Sequence, residues 1–107
     1  MTYTVNTAAR IAGAGLKKPG VARQLAAGAT SANTALTSTC ERISILAVTA
    51  DIRYLIGTSS QTANAGTSHF IKAGERLELD VPLGANIGII RDASTSGVLE
   101  VTEFVNY

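Results

Sequence analysis

Tryptophan is absent from this 107-residue chain, tyrosine and phenylalanine together number five, and there is a single methionine. A core drawn from such a sequence has to be assembled from Val, Ile, Leu and Ala. It is also small, because a chain of this length buries only about 60–70% of the surface it exposes when unfolded, which leaves room for one core and no second domain. The lone Cys40 excludes an intrachain disulfide, so the fold stands without covalent staples and suits a reducing compartment. The lone His69 argues against a cupin-type metal site, which needs several imidazoles, and no acidic cluster at ligand spacing makes up the deficit. No run approaches the roughly 18 apolar residues of a membrane span. The start, "MTYTVNTAARIAGAG", lacks the basic n-region and apolar stretch of a secretory signal, and Asn6, Asn33, Asn64 and Asn86 all fall outside the N-x-[ST] sequon. Neither cofactor nor metal nor membrane is expected.

Acidic residues are missing from the front of the chain. Residues 1–40 carry Arg10, Lys17, Lys18 and Arg23 with no Asp or Glu, a net of +4, whereas residues 41–107 set five basic against eight acidic side chains, a net of −3. A basic stretch rich in Ala and Gly buries too little apolar surface to offset its own ordering entropy. Residues 1–20 therefore read as an extended N-terminal arm, and residues 21–107 as the folded domain. Arg10, Lys17, Lys18 and Arg23 are the candidate partner-binding set. The body is acidic and its Tyr54, Phe70, Phe104 and Tyr107 are scattered, so a nucleic-acid surface of basic residues interleaved with aromatics is not expected.

From Val21 onward short segments alternate with turn chemistry. "VARQLAA", "GATSAN" and "TALTST" read as a β-hairpin, with a short helix over residues 21–27 competing because Val21 and Leu25 stand four apart. "RISILAVT" places Ile43, Ile45 and Ala47 on one face and Leu46 and Val48 on the other, which predicts a strand covered on both sides. "DIRYLIG" follows the same period, and "TSSQTANAGTS", residues 58–68, supplies the longest loop of the body and a candidate contact segment. "SHFIKAGERLELDVPLGANIGIIRD" then parses as three strands. Its turns fall at Ala73-Gly74 and Pro82–Asn86, with Leu77, Leu79 and Val81 facing in and Glu78 and Asp80 facing out. In "VLEVTEF" Leu99 and Val101 face in, and Glu103 breaks the pattern, which suggests a bulge, a strand end or a contact outside the monomer core. Seven or eight short strands with regular turn signals predict an all-β, antiparallel β-sandwich of the jelly-roll kind.

Residues able to carry chemistry are sparse. Cys40 and His69 are a nucleophile and base by type, but no third orienting group is indicated, so a small buried thiol and a packing or surface imidazole are the expected roles. "GAGLKKPG" is friendly to phosphate yet has neither the P-loop spacing nor the third glycine of the dinucleotide fingerprint. Glu78 and Asp80 share a strand face, where solvation or pairing with Arg residues of a neighbouring strand is expected rather than acid–base catalysis. No enzymatic activity is expected. Leu46, Val48, Phe104 and Tyr107 are the candidate oligomer contacts, since a core this poor in aromatics leaves apolar surface for subunit packing.

The succession "GVARQLAAGATSANTALTST", "RISILAVTADIRYLIGT", "SHFIKAGERLELDVP" and "NIGIIRD…GVLEVTEF", residues 21 to 104, resembles small structural proteins of tailed bacteriophages. The resemblance implies a virion component, with a capsid cement or decoration subunit in first place, built as a homotrimer of jelly rolls, assembled in the host cytoplasm and bound to the major capsid protein or other virion proteins. A tail or head–tail adaptor or fibre-base subunit is the alternative within the virion. A lectin-like module binding a sugar through residues 58–68 is the alternative outside it, weakened by the absence of an aromatic in that loop.

Overall fold

Period-two patterning in the sequence becomes strand throughout a computed structural model, which describes residues 17–106. Arg10, Tyr107 and residues 1–16 of the expected arm lie outside the described residues. Among those described there are eight strands: β1 (Lys17–Ala27), β2 (Ala32–Ala35), β3 (Arg42–Val48), β4 (Ile52–Gly57), β5 (His69–Ile71), β6 (Arg76–Asp80), β7 (Asn86–Arg91) and β8 (Gly97–Asn106). They form two four-stranded antiparallel sheets, sheet I in the order β1-β8-β3-β6 and sheet II in the order β2-β7-β4-β5. The expectation of an all-β sandwich holds at this level.

Alternation decides which side chains meet between the sheets. Ile43 and Ile45 of β3, Leu99 and Val101 of β8, Ile52 of β4, Ile71 of β5 and Ile87 and Ile89 of β7 are all sealed from solvent, and Leu25, Ile56, Leu77 and Leu79 pack against them from the margins. Each buried aliphatic side chain of this size contributes roughly 1.5–3 kcal/mol relative to exposure. The single-file choice of Ile in the central strands supplies what the missing aromatics do not. Leu77, Leu79 and Val81 face in and Glu78 and Asp80 out, as their period requires.

Two local expectations are corrected. Residues 21–27 form neither a helix nor one arm of a hairpin with 34–39: β1 pairs with β8 and β2 with β7, in different sheets. Every connection except β4–β5 crosses from one sheet to the other. The Gly, Ser and Asn cluster at 28–33 does turn the chain, but into the opposite layer. Sheet I also begins earlier than the arm boundary suggested, since Lys17, Lys18 and Pro19 already pair with Asn106, Val105 and Phe104. Pro19 is tolerated because β1 is an edge strand and its register shifts by a bulge between Pro19 and Ala22, so the missing N–H interrupts no central ladder.

The turns at 73–74 and 82–86 carry Gly74 and Gly84 at φ 86° and 70°, where a Cβ would be strained. Thr49, at the passage from β3 to β4, adopts φ 79°, a conformation a β-branched residue takes only when its surroundings enforce it.

Candidate interaction surfaces

The strand registers define what each sheet presents outward. On sheet I the outward rows run Pro19–Phe104–Arg42–Asp80, then Ala22–Thr102–Ser44–Glu78, then Gln24–Glu100–Leu46–Arg76, and finally Ala26–Val98–Val48. Three of the four candidate oligomer residues, Leu46, Val48 and Phe104, thus share one outer face, with Phe104 set apart by the Thr102–Ser44 row. Leu46 and Phe104 are half-buried and Val48 is exposed. The expectation that β3 is covered on both sides is therefore met on its inner face only: outward, Ser44 is buried beneath Arg76, whose guanidinium donates to its hydroxyl at 2.8 Å, and Val48 stands open. Asp80 accepts from Arg42 Nε at 3.0 Å, the cross-strand pairing its position predicted.

Sheet II presents a different exterior, because residues 58–68 fold back over it. The Gln61 N–H donates to Asn33 Oδ1 at 2.8 Å and the Ala63 N–H to Ser31 Oγ at 2.8 Å, both at the β2 edge. Gly88 in the middle of β7 leaves room for this crossing: a Cβ there would lie 2.5 Å from the Gln61 carbonyl oxygen. The far end is held by Arg53, which donates to the Ser68 carbonyl at 3.0 Å, pairs with Asp92 at 2.7 Å and lies 4.8 Å over the Phe70 ring. Ala63 and Ser68 are buried as a result. The loop read as a free contact segment spends much of its length on its own sheet. Gly57 and Gly88, isolated glycines inside strand patterns, were the available signal, since such a glycine marks a close backbone approach.

Of the basic set, Lys17 and Lys18 lie at the start of β1, where Lys17 Nζ donates to Asn106 Oδ1 at 2.6 Å. Arg23 is elsewhere. It faces the interior, and its Nε donates at 2.9 Å to Glu103 Oε2, which also accepts the Thr37 N–H at 3.1 Å. Glu103 is 2% exposed. It stands opposite the β1 bulge, between the Pro19–Phe104 and Ala22–Thr102 pairs, so the bulge reading holds; it is not at a strand end and does not point outward, since it continues the inward series Leu99, Val101, Glu103 and β8 runs on to Asn106. A carboxylate holds a core position because three donors meet it. Burial alone would push its carboxyl up, but hydrogen bonds from the Thr37 hydroxyl and N–H and from Arg23 outweigh that and hold it below the usual carboxylate range. The signal for this ion pair was weak, since Arg23 and Glu103 stand 80 residues apart.

Cys40 and His69 are not brought together. Cys40 is buried beside this ion pair, its thiol bonded to the Arg42 carbonyl at 3.3 Å. Burial, reinforced by the Glu103 charge, pushes its pKa up, away from the thiolate a nucleophile requires. His69 opens β5 in the other sheet with its ring 5.5 Å from that of Tyr54. Among the described residues no three His, Cys, Asp or Glu side chains are grouped to hold a metal ion, and no helix is long and apolar enough to cross a membrane. Compared with known proteins, the chain matches no family model, no curated protein and no solved structure.

Proposed function

We propose that the protein is a structural component of a tailed-bacteriophage virion, a capsid cement or decoration subunit that self-associates, as a trimer, through the outer face of sheet I and docks on capsid protein through its basic N-terminal arm. The resemblance of residues 21–104 to phage structural proteins supports the class. The strand order β1-β8-β3-β6 facing β2-β7-β4-β5, with β1 beside β8 and nearly every connection among the described strands crossing between layers, supports the jelly-roll reading of the sandwich. The observation that carries the proposal is the asymmetry of the two exteriors: one sheet is covered by its own loop, and the other gathers Leu46, Val48 and Phe104 on a face that no described segment covers.

Docking falls to Arg10, Lys17 and Lys18, because the Arg23 guanidinium is engaged with Glu103 inside the domain. Arms repeated around an oligomer engage together and gain avidity that one arm lacks. The test is addition of purified protein to capsids that lack it. The variant Arg10→Gln/Lys17→Gln/Lys18→Gln should associate more slowly and with less sensitivity to salt than the parent protein, since steering by these charges is screened over about 10 Å at 0.1 M salt. Occupancy and salt dependence unchanged by the three substitutions would remove the arm from the docking account.

A further inference from the structure

The side of the sandwich bounded by β5 and β6 stands open. Each of these strands pairs on one side only, and β5 covers β4 only from Ile52 to Tyr54, so the Leu55–Gly57 stretch of β4 runs on past it. Between the two free edges lies a cleft of about 260 Å³ lined by Tyr54, Ile56, His69, Leu79 and Asp80. Its floor is the partly buried margin of the core, Ile56 and Leu79. Of its polar groups Asp80 is paired with Arg42, whereas Tyr54 is 8% exposed and among the described residues neither its hydroxyl nor the His69 imidazole has a hydrogen-bond partner. A buried hydroxyl is ordinarily paired. A free strand edge beside an apolar slot is the arrangement that accepts an added strand, backbone to the edge and alternate side chains into the slot.

The chain contains a segment of matching chemistry. Residues 2–6, "TYTVN", alternate Tyr3 and Val5 with Thr2, Thr4 and Asn6, a composition that favours strand. The segment is uncharged, as is the Ile56 and Leu79 floor, and Asp80 on the β6 side of the cleft is already paired with Arg42. Eleven residue steps separate Asn6 from Lys17 and can span roughly 36 Å when extended. Lys17 stands at the edge of sheet I opposite to β6, with β8 and β3 between. To reach its own cleft the segment would reverse direction and recross the end of the sandwich past loops 36–41 and 81–85. That detour favours the cleft of another copy over the chain's own.

We propose that Thr2–Asn6 of a neighbouring copy adds as a strand in the cleft between β5 and β6, with Tyr3 and Val5 over Ile56 and Leu79. The inference rests on the self-associating reading above and specifies a contact that ties copies together, leaving Arg10 in the span between bodies and Lys17 at its root in β1. It is tested by co-expressing full-length Thr4→Cys and Asp80→Cys chains and treating the purified protein with a short bis-maleimide; native Cys40 is buried and does not compete. The expected product is a covalent dimer containing one chain of each kind, lost when Tyr3→Ser and Val5→Ser are added to the Thr4→Cys chain. An oligomer by light scattering that yields no mixed cross-link overturns the inference and leaves self-association standing. So does a link formed only within single chains of a Thr4→Cys/Asp80→Cys double variant, or a mixed link that survives the two serine substitutions. A monomer at micromolar concentration overturns both.

Discussion

On the outside of sheet II, Gly88 stands outward at the centre opposite Leu55, Gly57 stands outward at the end of β4, and the chain's own residues 58–68 lie down over these glycines. On the outside of sheet I, the equivalent central positions in β8 and β3 carry Thr102, Phe104, Leu46 and Val48, and no described segment crosses them. The two sheets share one core and the same strand count, so the difference comes from what stands outward. Where Gly88 leaves space, the chain covers its own sheet; the face carrying Leu46, Val48 and Phe104 is left uncovered by the described residues and is the one proposed above for self-association. The covered face is thereby fixed within the monomer, and the bare face is free to evolve as a contact.

Breaking the covered face should have the largest effect. Gly88→Val drives a Cβ into the Gln61 carbonyl, backbone against backbone, so the loop has to lift. Overpacking of this kind costs about 3 kcal/mol, measurable by urea denaturation, and cleavage within residues 58–68 should accelerate in limited proteolysis.

The ion pair at the β1 edge of the bare sheet comes next. Glu103→Gln keeps the shape but loses charge-assisted hydrogen bonds from Arg23 and Thr37, an expected loss of about 2 kcal/mol at neutral pH. Its pH signature has a definite sign. Because the folded Glu103 carboxyl is held below its ordinary value, its contribution is fully present above the ordinary carboxylate range and is lost as pH falls through the lower folded value, where the unfolded chain binds the proton first. Denaturation series from neutral to acid pH should show this decline in the parent protein and a shallower one in the Gln variant.

Thr49→Gly acts where the chain passes from the bare sheet to the covered one, and so should disturb neither face. Relief of the positive φ should raise stability by about 1 kcal/mol, read from the urea midpoint. Smallest in its effect on folding, and most informative about the comparison, is Val48→Glu, at the exposed position of that face. Substitutions on an exposed strand face shift stability within about 0.5 kcal/mol, yet light scattering should show that the oligomer is lost. An oligomer retained would assign self-association to another surface.

How much of this was legible in the sequence follows from how local each feature is. The strands over 42–48, 75–81 and 87–91 were readable because their inward residues recur with period two and the turns after residues 72 and 82 carry Gly74 and Gly84. Sheet membership was not: residues 21–39 look like a hairpin locally, and only the pairing of β1 with β8 and β2 with β7 sends them into separate layers. The placement of Leu46, Val48 and Phe104 on one face followed from period two plus the β3–β8 register, of which the sequence offers only the first. Glu103 was recognised as anomalous and does face a bulge, but its place in the core was not legible, since a buried carboxylate makes sense only once Arg23 and the Thr37 backbone are brought to it.

We propose that the bare face and the basic arm serve assembly into a phage particle. Quantitative mass spectrometry of purified virions of a tailed phage that encodes this chain tests it most directly. The protein should be present in proportion to the major capsid protein, as a subunit covering the head must be. A handful of copies per particle would place it at the tail, and its absence from the virion would contradict the account.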